Sequence, residues 1–175
     1  MDAEGQAEAG GVDVGDYPAE VGLGKSHHVQ DRPEHLALQL ADAVDLVGWK
    51  LNVGGLAGRT DDLILTLDEI KKLPRTEMIT EFKCIEGWST IVRWAGVRFS
   101  DFAERYYAGG LAALPPYVYL TTPDELYYVG WDTPSIVHPQ TLLAYEMNGA
   151  PLSPEHGAPL RIASPTKYGI KQIKR

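Results

Sequence analysis

The residue with the widest chemical repertoire in this chain is its single cysteine, Cys84, in the segment FKCIEGWS. A cysteine thiolate serves either as a nucleophile or as a soft metal ligand, and neither role needs a second cysteine. A lone cysteine in an apolar strand is also often an inert core residue. With one cysteine there is no internal disulfide, so the fold must rest on packing. The cysteine alone leaves all three interpretations open.

Histidine is the partner that a cysteine nucleophile or a zinc ion would need. A cysteine hydrolase requires a histidine base near the thiol, and His138 and His156 are the downstream candidates. A zinc site usually pairs its ligands locally, whereas here only His27 and His28 are adjacent. The glycine-rich residues 54–58 lack the lysine and the helix of a phosphate-binding loop. The hydrolase interpretation stays open, and zinc and phosphate-loop chemistry are disfavoured.

Charge is distributed unevenly along the chain. The net charge of −8 and the pI of about 5.0 argue against an extended nucleic-acid surface, which needs many basic side chains. Residues 1–35 hold eight acidic residues against two basic ones. The last fifteen residues have no acid and five basic residues: Arg161, Lys167, Lys171, Lys174 and Arg175. This basic block is either a solvated tail or the site of an anionic ligand.

The length of 175 residues and the hydrophobic content of 44% match one domain with a real core. We expect residues 1–35 to form an acidic, flexible N-terminal segment and residues 36–175 to form the domain. No apolar run approaches the length of a membrane span, and the N-terminus has no basic region followed by an apolar signal core. These features predict a soluble, cytoplasmic protein, or a periplasmic one if a signal has been removed.

The apolar patterns predict short strands and helices that position the chemical residues. Strands are predicted over residues 48–53, 63–67, 78–85, 117–122, 126–131, 160–163 and 168–173. A short helix is predicted over residues 67–73, with Thr66 or Asp68 as N-cap and Pro74 as its end. A second is predicted over residues 101–107, with Ser100 as N-cap. The predicted class is α+β with mostly antiparallel or mixed sheet, and Cys84 lies near the end of its strand.

A second motif accompanies the cysteine. From Asn148 the chain reads NGAPLSPEHGAPLRIASPTKYGIKQIKR, and this block together with FKCIEGWS resembles the molybdopterin-binding domain of the sulfite oxidase family. Both motifs occur in the family's order, and the resemblance covers roughly residues 45–175. It implies a mixed, mostly β sulfite-oxidase-type fold with short helices.

The resemblance also implies a cofactor and a chemistry. Cys84 matches the cysteine whose sulfur coordinates molybdenum beside the dithiolene of molybdopterin, and we expect Trp88 to wall the substrate pocket. Such a centre transfers an oxygen atom and two electrons, while the protein supplies ligation and positioning. The chain is therefore expected to be a molybdenum-dependent oxidoreductase that exchanges electrons with an external partner protein.

Five further residues match positions that hold the cofactor in the family. Thr121 aligns with a threonine near the metal pocket, and His156 and Arg161 match residues that hydrogen-bond the pterin and its phosphate tail. Gln172 and Lys174 fall where the family closes over the phosphate. An arginine binds a phosphate through two hydrogen bonds, and a lysine attracts it as a point charge. This interpretation therefore explains the basic block as a binding site for the phosphate.

The residues after the cysteine bear on the substrate. Sulfite oxidases place arginines there, in a pattern like CAGNRR, whereas this chain has Ile85, Glu86, Gly87, Trp88 and Ser89. The pattern CIEGWS instead resembles the branch that contains the bacterial protein-methionine-sulfoxide reductase catalytic subunit. This favours a neutral sulfoxide substrate, and Arg93 is the residue that would restore anion binding if it entered the site.

Two departures from the family keep other functions open. The family's asparagine-containing N-terminal segment has no match in GKSHHVQDRPEH, where His27 or His28 would have to substitute. The chain ends at Arg175, where relatives continue through another strand, which leaves open a truncated C-terminus. The alternatives are sulfite oxidation, a cofactor-binding module without turnover, and, least favoured, a cysteine hydrolase.

Overall fold

A computed structural model describes residues 45–56 and 60–174, all within one unit, Glu34–Arg175. The expected acidic segment, residues 1–35, lies outside the described residues. The strands are β1 (Lys50–Val53), β2 (Leu63–Thr66), β3 (Arg75–Lys83), β4 (Ser89–Arg98), β5 (Tyr117–Thr121), β6 (Tyr128–Asp132), β7 (Leu142–Met147), β8 (Ala150–Pro151) and β9 (Arg161–Ala163). The α-helices are α1 (Leu67–Ile70), α2 (Phe99–Tyr106) and α3 (Thr133–Ile136). Short 3-10 helices cover Gly110–Ala113, Pro154–His156 and Gly169–Lys171.

The strands form one larger sheet and two hairpins. The sheet has the order β3-β4-β7-β8, with β9 also paired to β7, and all of these pairs are antiparallel. The hairpins are β1–β2 and β5–β6. The predicted mostly β architecture with short helices is confirmed. No helix in the described part of the chain is long and apolar enough to cross a membrane.

Strand β7 is covered on both faces, because it lies inside the sheet between two apolar clusters. Leu143 and Tyr145 belong to the cluster that also contains residues of α2 and the β5–β6 hairpin. Leu142 and Ala144 belong to the second cluster, with Met78 and other residues of β3 and β4. Residues 142–145 are therefore buried without alternation, which is why the period-2 pattern did not predict this strand.

The close approach of β4 and β7 depends on Gly96. A Cβ at this position would overlap the carbonyl oxygen of Leu143, so that only glycine fits. The register of the two strands shifts between Ala95 and Gly96, which marks a β-bulge. Strand β4 was also not predicted, because the bulge and the exposed residues at its start interrupt its alternating pattern.

The helix caps confirm one prediction and correct another. Thr66 caps α1 in a capping box: the Glu69 N–H donates to the Thr66 hydroxyl at 3.3 Å, and the Thr66 N–H donates to the Glu69 carboxylate at 2.7 Å. The Thr66 N–H and, at 2.8 Å, the Thr66 hydroxyl both donate to the Glu69 carboxylate and hold the pKa of Glu69 below its usual range. The expected N-cap Ser100 is wrong, because α2 begins at Phe99 and its N-cap residue is Arg98.

The predicted strand over residues 168–173 is also wrong. The segment instead forms the 3-10 helix Gly169–Lys171, and Gly169 packs so closely on β3 that an added Cβ would lie 2.9 Å from the ring of Phe82. Pairing resumes only at its end, where Lys174 forms a β-bridge with Arg161. Because Gly169 has no side chain, the backbone can pass directly over the Phe82 ring. The chain therefore leaves the sheet at this point.

Candidate functional site

Cys84 lies in the turn that joins β3 to β4. The Cys84 N–H donates to the Trp88 carbonyl at 3.0 Å, and the Gly87 N–H donates to the Cys84 carbonyl at 3.2 Å. Gly87 has a φ of +93°, a left-handed conformation that other residues rarely adopt. The thiol belongs to a free, half-buried cysteine. The turn therefore holds Cys84 and Trp88 opposite one another at the end of the hairpin.

The face of the hairpin that carries Cys84 is aromatic. Side chains alternate along a strand, so Phe82 and Cys84 share a face. Trp94 reaches that face from β4, and Trp88 reaches it from the turn just before β4. The Phe82 ring lies edge-on to both tryptophans, with centroid distances of 5.7 Å to Trp88 and 6.0 Å to Trp94. We call Phe82, Trp88 and Trp94 the aromatic cluster. The sequence did not single out Phe82 and Trp94, although Phe82 is two residues from Cys84 and this spacing places it on the same face.

Arg161 brings a positive charge to this cluster. Its guanidinium lies 4.9 Å from the ring centroid of Trp94 and 5.5 Å from that of Phe82. The residue is only 4% exposed, and burial lowers its pKa to about 10. Among the described residues no carboxylate forms a salt bridge with it. A buried cation without an anionic partner is costly, so this position favours an anion.

The C-terminal block is assembled around the same guanidinium. Arg161 donates to the carbonyl oxygens of His156 at 3.0 Å, Gln172 at 3.4 Å and Ile162 at 3.3 Å. The Lys174 ammonium donates to the carbonyl oxygen of Glu155 at 2.6 Å. The three bonds from Arg161 use three of the five N–H groups of its guanidinium. The structure therefore brings together His156, Arg161, Gln172 and Lys174, whose contacts with a cofactor stay a prediction, and it leaves donor capacity on Arg161.

Trp94 contributes a second donor that the described residues do not satisfy. Its indole N–H is buried and has no hydrogen-bond partner among the described residues. Buried donors are normally paired, and an unpaired one costs about 1 to 3 kcal/mol. The indole stacks with Arg161, so one place holds an unpaired N–H and an uncompensated cation. This donor set fits a ligand that is anionic and rich in acceptors, as a pterin with a terminal phosphate is.

Gln172 has an internal role in the structure. Its side-chain amide donates to the carbonyl oxygens of Ser164 at 2.8 Å and Lys167 at 3.0 Å, and it accepts from the Ser164 N–H at 3.3 Å. These bonds close the loop before the 3-10 helix Gly169–Lys171. Gln172 therefore shapes the segment that carries Lys174, and its direct contact with a cofactor stays a prediction.

Thr121 lies apart from Cys84, at the end of the β5–β6 hairpin. It lines a cleft of about 120 Å³ together with Asn52 and Arg161, and a neighbouring cleft of about 280 Å³ together with Asn52 and Trp49. The buried indole N–H of Trp49 has no partner among the described residues. Asn52 was not foreseen, because an exposed asparagine in an alternating strand carries no sequence signal. Thr121 is thus connected to Arg161 through a cleft, and no described contact joins it to Cys84.

The structure does not support the cysteine-hydrolase alternative. Among the described residues no histidine is hydrogen-bonded to Cys84, and the Nδ1 atom of His138 accepts from the Gln140 N–H at 3.2 Å. The part of the chain that the structure describes also holds no group of three histidine, cysteine or carboxylate side chains able to bind a metal. A metal at Cys84 would therefore take its other ligands from a cofactor.

Comparison with known proteins agrees with the kind of ligand that the donors of Arg161 and Trp94 fit. The family model for the oxidoreductase molybdopterin binding domain matches residues 36–175. The chain belongs to this family. The family resemblance, the oxidoreductase class and the molybdenum–molybdopterin cofactor expected from the two sequence motifs are thereby confirmed.

Individual relatives also match about three quarters of this chain. YedZ1 of Azospira oryzae is 37% identical over 131 residues, which cover 75% of this chain and 48% of that protein. The protein-methionine-sulfoxide reductase catalytic subunit MsrP of Xanthomonas axonopodis pv. citri is 33% identical over 146 residues, covering 77% of this chain and 45% of that protein. The chain therefore spans about half the length of these relatives.

A solved structure shows the same fold. The crystal structure of the sulfane dehydrogenase SoxCD from Paracoccus pantotrophus matches with a TM-score of 0.60 at 16% sequence identity. The match covers 89% of this chain and 54% of that one. At this identity the likeness concerns the fold alone, and it confirms the family's mostly β architecture.

Proposed function

We propose that this chain is the molybdopterin-binding part of a sulfoxide reductase and that Cys84 is the protein's ligand to molybdenum. The observation that carries the proposal is the turn after the cysteine, which presents Glu86 and Trp88 and no arginine. The MsrP relative is named as a protein-methionine-sulfoxide reductase, which supports the same direction.

The chemistry fixes what the site must accommodate. Reduction of a sulfoxide to a sulfide takes two electrons and two protons and releases the oxygen as water. The molybdenum cofactor, when bound, supplies the two-electron oxygen-atom transfer. The protein's own residues bind and orient: Cys84 offers one thiolate, Arg161 and Trp94 offer donors to the pterin and its phosphate, and Trp88 forms an apolar wall.

The location of Arg93 supports a neutral substrate. Arg93 pairs with Ile79 on β3, five residues before Cys84, which corresponds to about 17 Å along a strand. Its guanidinium lies against Gly149 in the turn between β7 and β8. An anionic substrate such as sulfite would therefore find no arginine from this strand beside the cysteine.

The two electrons must come from outside this chain in our proposal. A sulfoxide carries none to spare, and the described side chains offer no redox centre other than the single thiol. An external electron-donor protein is therefore part of the proposed function, as is a small-molecule or protein-bound sulfoxide as substrate.

Metal and pterin analysis tests the proposal. After expression in a host that makes the cofactor, we expect about one molybdenum and one pterin per chain, and reduction of dimethyl sulfoxide by a reduced viologen dye. Cys84→Ser should lose the metal and the activity. Thr80→Ser is the matched control, because it changes a polar side chain on the same strand and face without touching the turn. A wild-type protein without molybdenum, or one that oxidises sulfite faster than it reduces sulfoxides, would contradict the proposal.

A further inference from the structure

The turn that holds Cys84 also holds a carboxylate in a fixed position. The Trp88 indole N–H donates to the Glu86 carboxylate at 3.3 Å across the left-handed Gly87. Both residues lie within four positions of the cysteine. The indole therefore positions the Glu86 carboxylate, and the carboxylate in turn orients the indole.

The Glu86 carboxylate is bonded to an indole that packs on the Cys84 face of the hairpin. Trp88 is hydrogen-bonded across the turn to Cys84 and contacts the ring of Phe82, which shares the Cys84 face. Because Glu86 is bonded to the same indole, its charge stands at the edge of this face. Glu86 is also only two residues from Cys84, so we expect its charge to act on a molecule that approaches the thiol.

Nearby cations do not neutralise Glu86. The Lys83 ammonium forms a salt bridge with Glu81 at 3.0 Å, and both side chains belong to the opposite face of β3. Lys167 is paired with Asp132 at 2.8 Å. Within residues 45–56 and 60–174, Glu86 forms no salt bridge. Arg161, the cation that reaches the Cys84 face, is only 4% exposed and lies against the rings of Phe82 and Trp94. The charge that the turn at residues 84–88 itself carries is therefore the negative charge of Glu86.

We propose that Glu86 is a specificity-determining residue that makes the Cys84 site select neutral molecules over anions. The inference rests on the proposed function, because it assigns a substrate class to the same site. A single charge in a partly exposed setting changes the local concentration of a monoanion by about threefold to tenfold, and salt screens the effect. Trp88 fixes the charge in place, and Glu86 supplies it.

Alkylation of the cofactor-free 175-residue chain measures this selectivity directly. The chain has one cysteine, so iodoacetamide, which is neutral, and iodoacetate, which is an anion, both report on Cys84. The ratio of the two rates cancels the thiolate fraction, because both reagents attack the same thiolate. Glu86→Gln keeps an oxygen for the Trp88 N–H and removes the charge. We expect the iodoacetamide-to-iodoacetate rate ratio to fall about threefold to tenfold at low salt, and the difference to shrink at high salt.

Glu77→Gln is the matched control. Glu77 lies on β3, seven residues before Cys84, or about 24 Å along the strand, so the ratio should stay at the wild-type value. Glu86→Ala, which also removes the bond to Trp88, should shift the ratio in the same direction as Glu86→Gln. An unchanged ratio in Glu86→Gln, or an equal change in Glu77→Gln, would overturn the inference.

A second measurement separates this inference from the proposed function. In the molybdenum-loaded protein, Glu86→Gln should strengthen inhibition by sulfite severalfold more than it changes the KM for dimethyl sulfoxide. Unchanged sulfite inhibition would overturn the assignment of Glu86 even if molybdenum is present. If molybdenum is absent from the wild-type protein but the alkylation ratio shifts as expected, the proposed function fails and the electrostatic role of Glu86 stands.

Discussion

At the residue scale, Arg161 and Trp94 place more hydrogen-bond donors in the interior than the surrounding acceptors satisfy. Arg161 gives three N–H groups to backbone carbonyls but keeps a positive charge that no described carboxylate balances. The Trp94 N–H has no partner in the part of the chain that the structure describes. Proteins rarely keep such groups for stability, because a well-packed apolar replacement is often as stable or more so. Their retention points to a ligand that completes them.

Trp94→Phe tests this explanation. The substitution keeps an aromatic ring under Arg161 and removes the unpaired N–H. The smaller ring leaves a cavity that lowers stability, but the loss of an unsatisfied donor offsets part of this cost. We therefore expect the cofactor-free protein to lose less stability than it does in Trp131→Phe. Retention of the pterin should fall several-fold, because the ligand loses one donor. Denaturant unfolding and the pterin that remains after dialysis are the two measurements.

Trp131→Phe is the control for Trp94→Phe, since it leaves the same kind of cavity and should destabilise the protein more. Trp131 is equally buried, but its indole N–H donates to the Lys171 carbonyl at 2.9 Å. Loss of this hydrogen bond leaves the Lys171 carbonyl unpaired and should lower the free energy of unfolding by about a further 1 to 3 kcal/mol. If both substitutions destabilise the cofactor-free protein equally, the Trp94 N–H has a partner and the explanation is wrong.

At the element scale, the sequence predicts those elements whose signal is local. The Thr66 capping box and the β5–β6 hairpin follow from residues within a few positions of each other. Strand β7 could not be predicted in this way, because its burial on both faces depends on two distant clusters. The strand expected over residues 168–173 failed because the ring of Phe82, far away in sequence, displaces the backbone at Gly169. The elements that the sequence did not predict correctly are thus those fixed by tertiary contacts.

Asp132 connects two elements near the site. Its carboxylate accepts from the Ser135 N–H at 3.1 Å, which caps α3, and it forms a salt bridge with Lys167 at 2.8 Å. Lys167 and then Ser135 hold the pKa of Asp132 well below its ordinary value of 3.8. The folded state therefore favours the ionised carboxylate, and α3 and the loop after β9 share one anchor.

The pH dependence of stability follows from this shift. Because the pKa of Asp132 is lower in the folded than in the unfolded state, its contribution is present above pH 3.8 and is lost as the pH falls towards the folded pKa. Asp132→Asn keeps the cap and removes the ion pair. Its Tm should be lower than that of wild type near neutral pH, and the difference should be smaller at about pH 3. A difference that is equal at both pH values would contradict the role of the ionised carboxylate.

At the scale of the whole molecule, the candidate site combines two motifs that are distant in sequence. The pairing of β9 with β7 and of β4 with β7 places Arg161 over the aromatic cluster beside Cys84. The sequence identified both motifs, because each resembles its counterpart in the family. The contact between them could not be predicted from spacing, since it depends on a strand order that the sequence does not encode locally.

Because the two motifs meet on different elements, a bound cofactor should stabilise both together. Comparison of molybdenum-loaded and cofactor-free protein by hydrogen exchange should show added protection in the turn at residues 84–88 and in the block at residues 161–174. Helix α2 lies in the other apolar cluster and serves as the internal reference. We expect its protection to rise by no more than the global increase in stability. Added protection confined to the turn, with none in the C-terminal block, would mean that Arg161 and Lys174 do not hold the pterin phosphate.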